Sequence, residues 1–226
     1  MTTFVAFPDI HDQSAHFKRI RHVLADVDVV LFVGDMTNGS MDHLQRLLNT
    51  VQPYNEHILA VCGNIDTEQM NMMLARMGIS IHRRHEIIDG LAVLGVGGAL
   101  PFTGDYVFSE DQLAGFLQDT LQGVPATMPK LLMTHQPPYG TRCDQIETAD
   151  GTQYVGSHAV RDFIERVQPL VCFTGHIHEA VGMDTIGRTQ IINPGAIAET
   201  GAYAFLEIEG DAIITLEQRA IAELEL

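Results

Sequence analysis

Five segments of this chain place Asp, Asn or His directly after an apolar run and just before a turn. They are Phe7-Pro8-Asp9-Ile10-His11, Val33-Gly34-Asp35, Cys62-Gly63-Asn64-Ile65-Asp66, Thr134-His135-Gln136-Pro137 and Thr174-Gly175-His176-Ile177-His178. Carboxylate, amide oxygen and imidazole are the donors that Mn, Fe, Zn or Mg take, and no Cys takes part. In Asp9-x-His11 and His176-x-His178, alternating residues of extended backbone point the same way, so both members of a pair can face one cavity. Gly34, Gly63 and Gly175 each precede a candidate ligand and let the chain turn sharply there. Taken singly, each segment has a plainer reading: Gly-Asp and Gly-Asn are turn chemistry, and His135 before Pro137-Pro138 is a loop residue. Two histidines flanking one apolar residue after a buried strand are harder to explain without a ligand, and five such segments at successive strand ends harder still.

The elements that must position these residues follow from periodicity. Apolar runs predict strands over 3–7, 27–33, 57–62, 91–96, 130–134 and 170–174. Helical spacing falls over 13–24, 41–50, 68–77 (with Gly78 as stop), 110–121 and 159–167. Short β-rich stretches follow at 181–186, 189–193, 203–208 and 212–216, the first two joined at Gly187-Arg188, a tight hairpin signal. The order is βαβα first and antiparallel later, which predicts an α/β fold in one domain over 1–226, with sheets sandwiched between helices. In open α/β sheets the carboxyl ends of strands face one crevice, so residues far apart in sequence are expected to converge there.

A formal charge of −16 with only 13 Lys and Arg repels a phosphate backbone and argues against a double-stranded nucleic-acid partner. Any phosphorylated substrate would need local cations, which bound divalent metals supply. No run of 18 apolar residues suggests a membrane span, and the first residues lack the basic region of a secretory signal. Cys62, Cys143 and Cys172 are odd in number and share no Cys-x-x-Cys spacing, so the expected compartment is reducing and the expected location cytoplasmic.

Together the blocks Asp9-x-His11, Gly34-Asp35, Gly63-Asn64-Ile65-Asp66, His135 and Gly175-His176-x-His178 resemble the calcineurin-like metallophosphoesterase superfamily. The segments around Thr134–Asp144, Gly156–Ile164 and Asn193-Pro194-Gly195 are similar, more narrowly, to its small Icc-related members. The resemblance implies a four-layer αββα sandwich of two mixed sheets flanked by helices, and two divalent metal ions, manganese first, with Fe, Zn, Ni, Co or Mg as alternatives. It implies one metal on Asp9, His11 and His178, a second on Asn64, His135 and His176, and Asp35 between them. A metal-activated water or hydroxide would attack phosphorus, with Asn64 also facing substrate. The expected substrate is a phosphodiester or small phosphorylated molecule, and a homodimer is compatible with a small acidic enzyme.

One departure matters. Many members carry His where this chain has Ile65, and isoleucine donates no proton to a leaving group. His158 is the first candidate for a substitute acid, and Tyr139 and Arg142 are candidates to meet phosphate. Asp66 is expected to orient a ligand histidine, and the 95–104 loop with Phe102 to overhang the site. The missing His also supports an alternative, a metal-binding scaffold or interaction module that keeps the fold without hydrolysis. The remaining features read as structural: the methionines at 70, 72, 73 and 77 as core filling, His82-Arg83-Arg84-His85 as a solvated turn, and Asn193-Pro194-Gly195 as a turn.

Overall fold

The computed structural model describes residues 1–221. It begins with β1 (Thr2–Phe7), α1 (Ala15–Arg19), α2 (Arg21–Asp26), β2 (Val29–Val33), α3 (Met41–Val51), β3 (Ile58–Val61) and α4 (Glu68–Arg76). Next come β4 (Arg84–Ile88), β5 (Leu91–Val96), α5 (Glu110–Asp119), β6 (Lys130–Thr134), β7 (Gln145–Thr148), β8 (Gly151–Tyr154), α6 (His158–Val167) and β9 (Val171–Phe173). Finally β10 (Gly182–Ile186), β11 (Thr189–Asn193), α7 (Ile197–Thr200), β12 (Ala202–Glu209) and β13 (Ala212–Ala220) complete it.

Two mixed sheets result, ordered β13-β12-β1-β2-β3 and β10-β11-β9-β6-β5-β4. Side-chain alternation shows how they stack. In β1, Phe4 and Ala6 enter the core shared by both sheets, while Val5 and Phe7 enter a second core with Phe17, Leu24, Leu44 and Leu74 of the helices. In the other sheet, Leu131, Met133, Val171 and Phe173 face the shared core. Leu132 and Cys172 face outward onto Leu113 and Leu117 of α5 and Val160 and Ile164 of α6. The layers are therefore helices, sheet, sheet, helices. Each fully buried aliphatic or aromatic side chain contributes about 1.5–3 kcal/mol, so the three cores dominate the fold's stability.

The centre of each sheet is parallel, β1-β2-β3 in one and β5-β6-β9-β11 in the other. Their carboxyl ends are where the Asp, Asn and His segments leave.

Four expectations need correction. The helix predicted over 13–24 breaks at Ile20, whose φ of −109° and ψ of 23° leave the helical region. The apolar spacing of Phe17, Ile20 and Leu24 is kept across the break, so periodicity does not register it. Residues 82–85 are a solvated turn only at Arg83, which is exposed with a φ of 60°. His82 packs among Tyr106, Phe108 and Phe116, and Arg84 opens β4, which pairs with β5 through Asp89-Gly90. Both turn residues have positive φ (50° and 81°), as a two-residue hairpin turn demands. The β7–β8 hairpin also falls where no strand was expected, because its residues are mostly exposed and lack an apolar face. Of the four methionines, Met70 is in the core and Met73 packs on it, but Met72 and Met77 are exposed. All three cysteines are free and buried, and no helix among the described residues is long and apolar enough to cross a membrane.

Candidate metal centre

The strand ends bring seven side chains from five segments together. His178 Nε2 lies 3.4 Å from Asp9 Oδ1 and 3.3 Å from His11 Nε2. Asp35 Oδ2 lies 3.8 Å from His11 Nε2 and 3.5 Å from His135 Nε2, between the two groups of imidazoles. Asn64 Oδ1 is 3.1 Å from His135 Nε2. The His176 ring stands 5.1 Å from that of His135, and its backbone N–H donates to Asp9 Oδ2 at 3.0 Å. Asp9, His11 and His178 form one group able to hold a cation, and Asp9, Asp35 and His135 form another.

Backbone geometry at these positions is costly. Asp9, His11, Asp35 and His176 all have positive φ, between 42° and 70°, a region non-glycine residues rarely occupy, so neither Asp9-x-His11 nor His176-x-His178 lies on the extended backbone expected of it. Strain of this kind costs about 1–3 kcal/mol per residue and persists where the surroundings over-determine it. Here it is held by backbone bonds between the strand-end loops: Asp9 N–H to the Gly34 carbonyl, and Ile10 and His11 N–H to that of Asp35. Of the three glycines preceding ligands only Gly34 has positive φ (91°), and at all three it is space that excludes a side chain. A Cβ at Gly34 would strike the His135 ring, one at Gly63 would strike Asp35, and one at Gly175 would strike Asp9.

Outer partners fix the imidazoles. His11 Nδ1 bonds Asn38 Oδ1 at 2.9 Å, His135 Nδ1 bonds the Val33 carbonyl at 2.9 Å, and His178 Nδ1 bonds Glu199 Oε1 at 2.8 Å. Each partner is an acceptor, so each Nδ1 carries a proton and Nε2 turns inward, where it would donate electrons to a metal once deprotonated. Asn38 and Glu199 were not singled out in the sequence. Glu199 sits 21 residues beyond His178 on a four-residue helix, and no local pattern marks it.

The expected role of Asp66 is corrected. Its carboxylate accepts from the N–H groups of Met36 (3.1 Å), Thr37 (3.0 Å) and Gly63 (3.0 Å), so it ties the Asp35 loop to the Asn64 loop rather than orienting an imidazole. Burial and the negative charge of Asp35 push its pKa up to about 6, against the pull of these three donors. Among the ligands, burial lowers His135, but the Asp35 and Asp9 carboxylates and the Val33 carbonyl together raise it to about 9. The hydrogen bond to Asp9 raises His178 to about 9 despite partial burial. Burial and the nearby His135 charge lower His176 to about 4.

This donor set fits divalent cations. The inward imidazole nitrogens of His11 and His178 face each other at 3.3 Å beside two nearly fully buried carboxylates. No Lys or Arg is among the described residues lining the cavity there, so divalent cations would balance the two carboxylates once the imidazoles give up their protons.

Tyr139, Arg142 and His158 are absent from the lining of the cavity. The His158 ring stacks on Tyr139 at 4.0 Å, and its N–H caps onto Glu110. The Arg142 N–H donates to Asp184. By contrast Leu100, Pro101, Phe102 and Thr103 of the loop after β5 do line the cavity, as does Ile65.

Over residues 3–211 the chain matches the model of the calcineurin-like phosphoesterase superfamily domain, and it belongs to that family. It is 29% identical over 195 residues to the uncharacterized protein MJ1162 of Methanocaldococcus jannaschii, covering 84% of this chain and 86% of that one. A dimetal phosphatase from Danio rerio superposes with a TM-score of 0.67 at 14% identity, over 98% of this chain and 97% of that one. The phosphopantetheinyl hydrolase of Mycobacterium tuberculosis superposes with a TM-score of 0.64 at 15% identity, over 86% of this chain and 89% of that one. At these identities the superpositions show a shared fold.

Proposed function

We propose that this chain is a metal-dependent phosphoesterase acting on a phosphodiester or small phosphorylated molecule, with its catalytic centre in one domain. The observation that carries the reading is the clustering of Asp9, His11, Asp35, Asn64, His135, His176 and His178, five of which (His11, Asp35, Asn64, His176 and His178) line one cavity, within a fold whose family hydrolyses phosphoesters. One cation would sit on Asp9, His11 and His178, a second on Asn64, His135 and His176, with Asp35 between them. Two such ions, manganese being the first to try, would activate water and neutralise charge on the phosphoryl oxygens.

The chain's own residues do the rest. Asn38, Val33 and Glu199 hold three imidazoles in the tautomer that offers Nε2. Asp66 holds the two ligand loops in register. Ile65 lines the cavity where a proton donor would otherwise stand, so substrates whose leaving group departs as a stable anion are favoured. The three free, buried cysteines support a reducing compartment such as the cytoplasm.

Asp35→Ala discriminates this reading from a metal-binding scaffold. An enzyme loses metal affinity and turnover of p-nitrophenyl esters together. A scaffold loses metal alone, because the wild type turns over no ester to begin with.

A further inference from the structure

Of the candidate ligands, His11, Asp35, Asn64, His176 and His178 line part of a cavity of about 730 Å³. The rest of the wall is of a different chemistry. Leu100, Pro101 and Phe102 of the loop after β5, Ile146 of β7, Val155 after β8 and Ile65 line it. Beyond the candidate ligands, the charged groups on the lining are Glu179 and Glu199, both acidic, and Glu199 is already committed to His178. A second phosphate or a carboxylate on a substrate would meet these acids and no cation. An apolar group would instead remove aliphatic and aromatic surface from water, including Phe102, which is 89% exposed.

The apolar walls are held at a fixed spacing. Gln136, next to His135, accepts from the Leu100 N–H at 2.8 Å with its side-chain oxygen and donates to the Val155 carbonyl at 3.0 Å with its nitrogen. Asn64 Nδ2 donates to the Thr103 carbonyl at 3.0 Å. The cavity is thus tied to the same residues that build the ligand cluster, and a ligand does not have to order it.

We infer that this cavity binds the organic group of the phosphoester, and that this group is apolar and carries no further charge, such as an aryl or branched alkyl group. The inference rests on the reading of the ligand cluster as a phosphate-binding metal centre. Phe102 and Ile146 are its specificity-determining contacts, and Gln136 positions the walls.

The test is calorimetric titration of the manganese-loaded protein with methylphosphonate, phenylphosphonate and 4-carboxyphenylphosphonate, which share the phosphorus head and are not esters. Phenylphosphonate is expected to bind roughly 10- to 100-fold more tightly than methylphosphonate, the scale of burying one ring. The added carboxylate is expected to cancel most of that gain. In Phe102→Ser and Ile146→Ser the phenyl advantage shrinks, while methylphosphonate affinity stays unchanged. Equal affinity for phenyl and methyl, or undiminished affinity for the carboxylated ring, overturns the inference and leaves the metal centre standing. Failure of all three to bind protein that has taken up manganese overturns the phosphate-binding reading itself.

Discussion

Glu199 shows what single residues contribute beyond the ligands. Its carboxylate meets His178 Nδ1 at 2.8 Å and so fixes the ring that must face Asp9. Removing an outer partner of a ligand histidine typically lowers metal affinity 10- to 100-fold. Glu199→Ala is therefore expected to weaken metal binding by about that factor, with Glu199→Gln retaining more of it, as measured by competition with a chelating indicator. Ile65 makes the opposite point, a residue whose chemistry is missing. It lines the cavity beside Asn64, so Ile65→His places a proton donor there. Hydrolysis of an alkyl phosphoester is expected to rise about 10²-fold and that of a p-nitrophenyl ester by little, because nitrophenolate leaves without a proton. Equal gains on both esters would show that the imidazole acts by some other route.

At the scale of elements, the loops leaving β2 and β3 are joined by one buried carboxylate. Asp66→Ala strands the N–H groups of Met36, Thr37 and Gly63 in the interior. Unsatisfied buried donors cost about 1–3 kcal/mol each, so a loss of about 3 kcal/mol or more in urea denaturation is expected, with reduced metal affinity because Asp35 and Asn64 lose their register. The strands that deliver ligands were legible because each is a buried parallel strand read as a continuous apolar run, and each ends in a polar residue that such a run does not explain. β4, β7 and β8 were not, because edge and surface hairpins bury too little to leave a pattern. The type of the ligands was legible for the same reason as their strands. The positive-φ backbone, the collisions that forbid side chains at Gly34, Gly63 and Gly175, and the Gln136 tie between cavity walls depend on contacts between distant segments, which no local pattern encodes. Tyr139, Arg142 and His158 were plausible from proximity in sequence to His135 and to a helix start, yet none is in the cavity lining, and the Tyr139 and His158 rings stack on each other.

Across the whole molecule, stability responds to pH and to metal through different groups. His82 lies within an aromatic cluster, and its Nδ1 accepts from the Gly97 N–H at 2.9 Å, which requires a neutral ring. Burial, with help from Arg83, lowers its pKa from 6.5 to about 4. Between those values the unfolded chain binds a proton that the folded chain refuses, so stability falls as pH drops from 6.5 toward 4. Urea denaturation in chelator is expected to show wild type losing about 2 kcal/mol more than His82→Gln between pH 7.5 and 4.5. Equal losses in both proteins would mean that His82 titrates normally. The cluster of buried carboxylates and inward imidazoles sets the larger dependence, on metal. A ligand at a hundred times its dissociation constant adds about 2.7 kcal/mol to folding, so chelation should lower the melting temperature and manganese restore it.

The most direct test of the central claim is turnover of bis-p-nitrophenyl phosphate and p-nitrophenyl phosphate by chelated protein as manganese is returned in counted equivalents. The account predicts negligible turnover without metal and activity that reaches its plateau at two ions per chain. Full turnover in the metal-free protein, or two ions bound with neither ester hydrolysed, would contradict it.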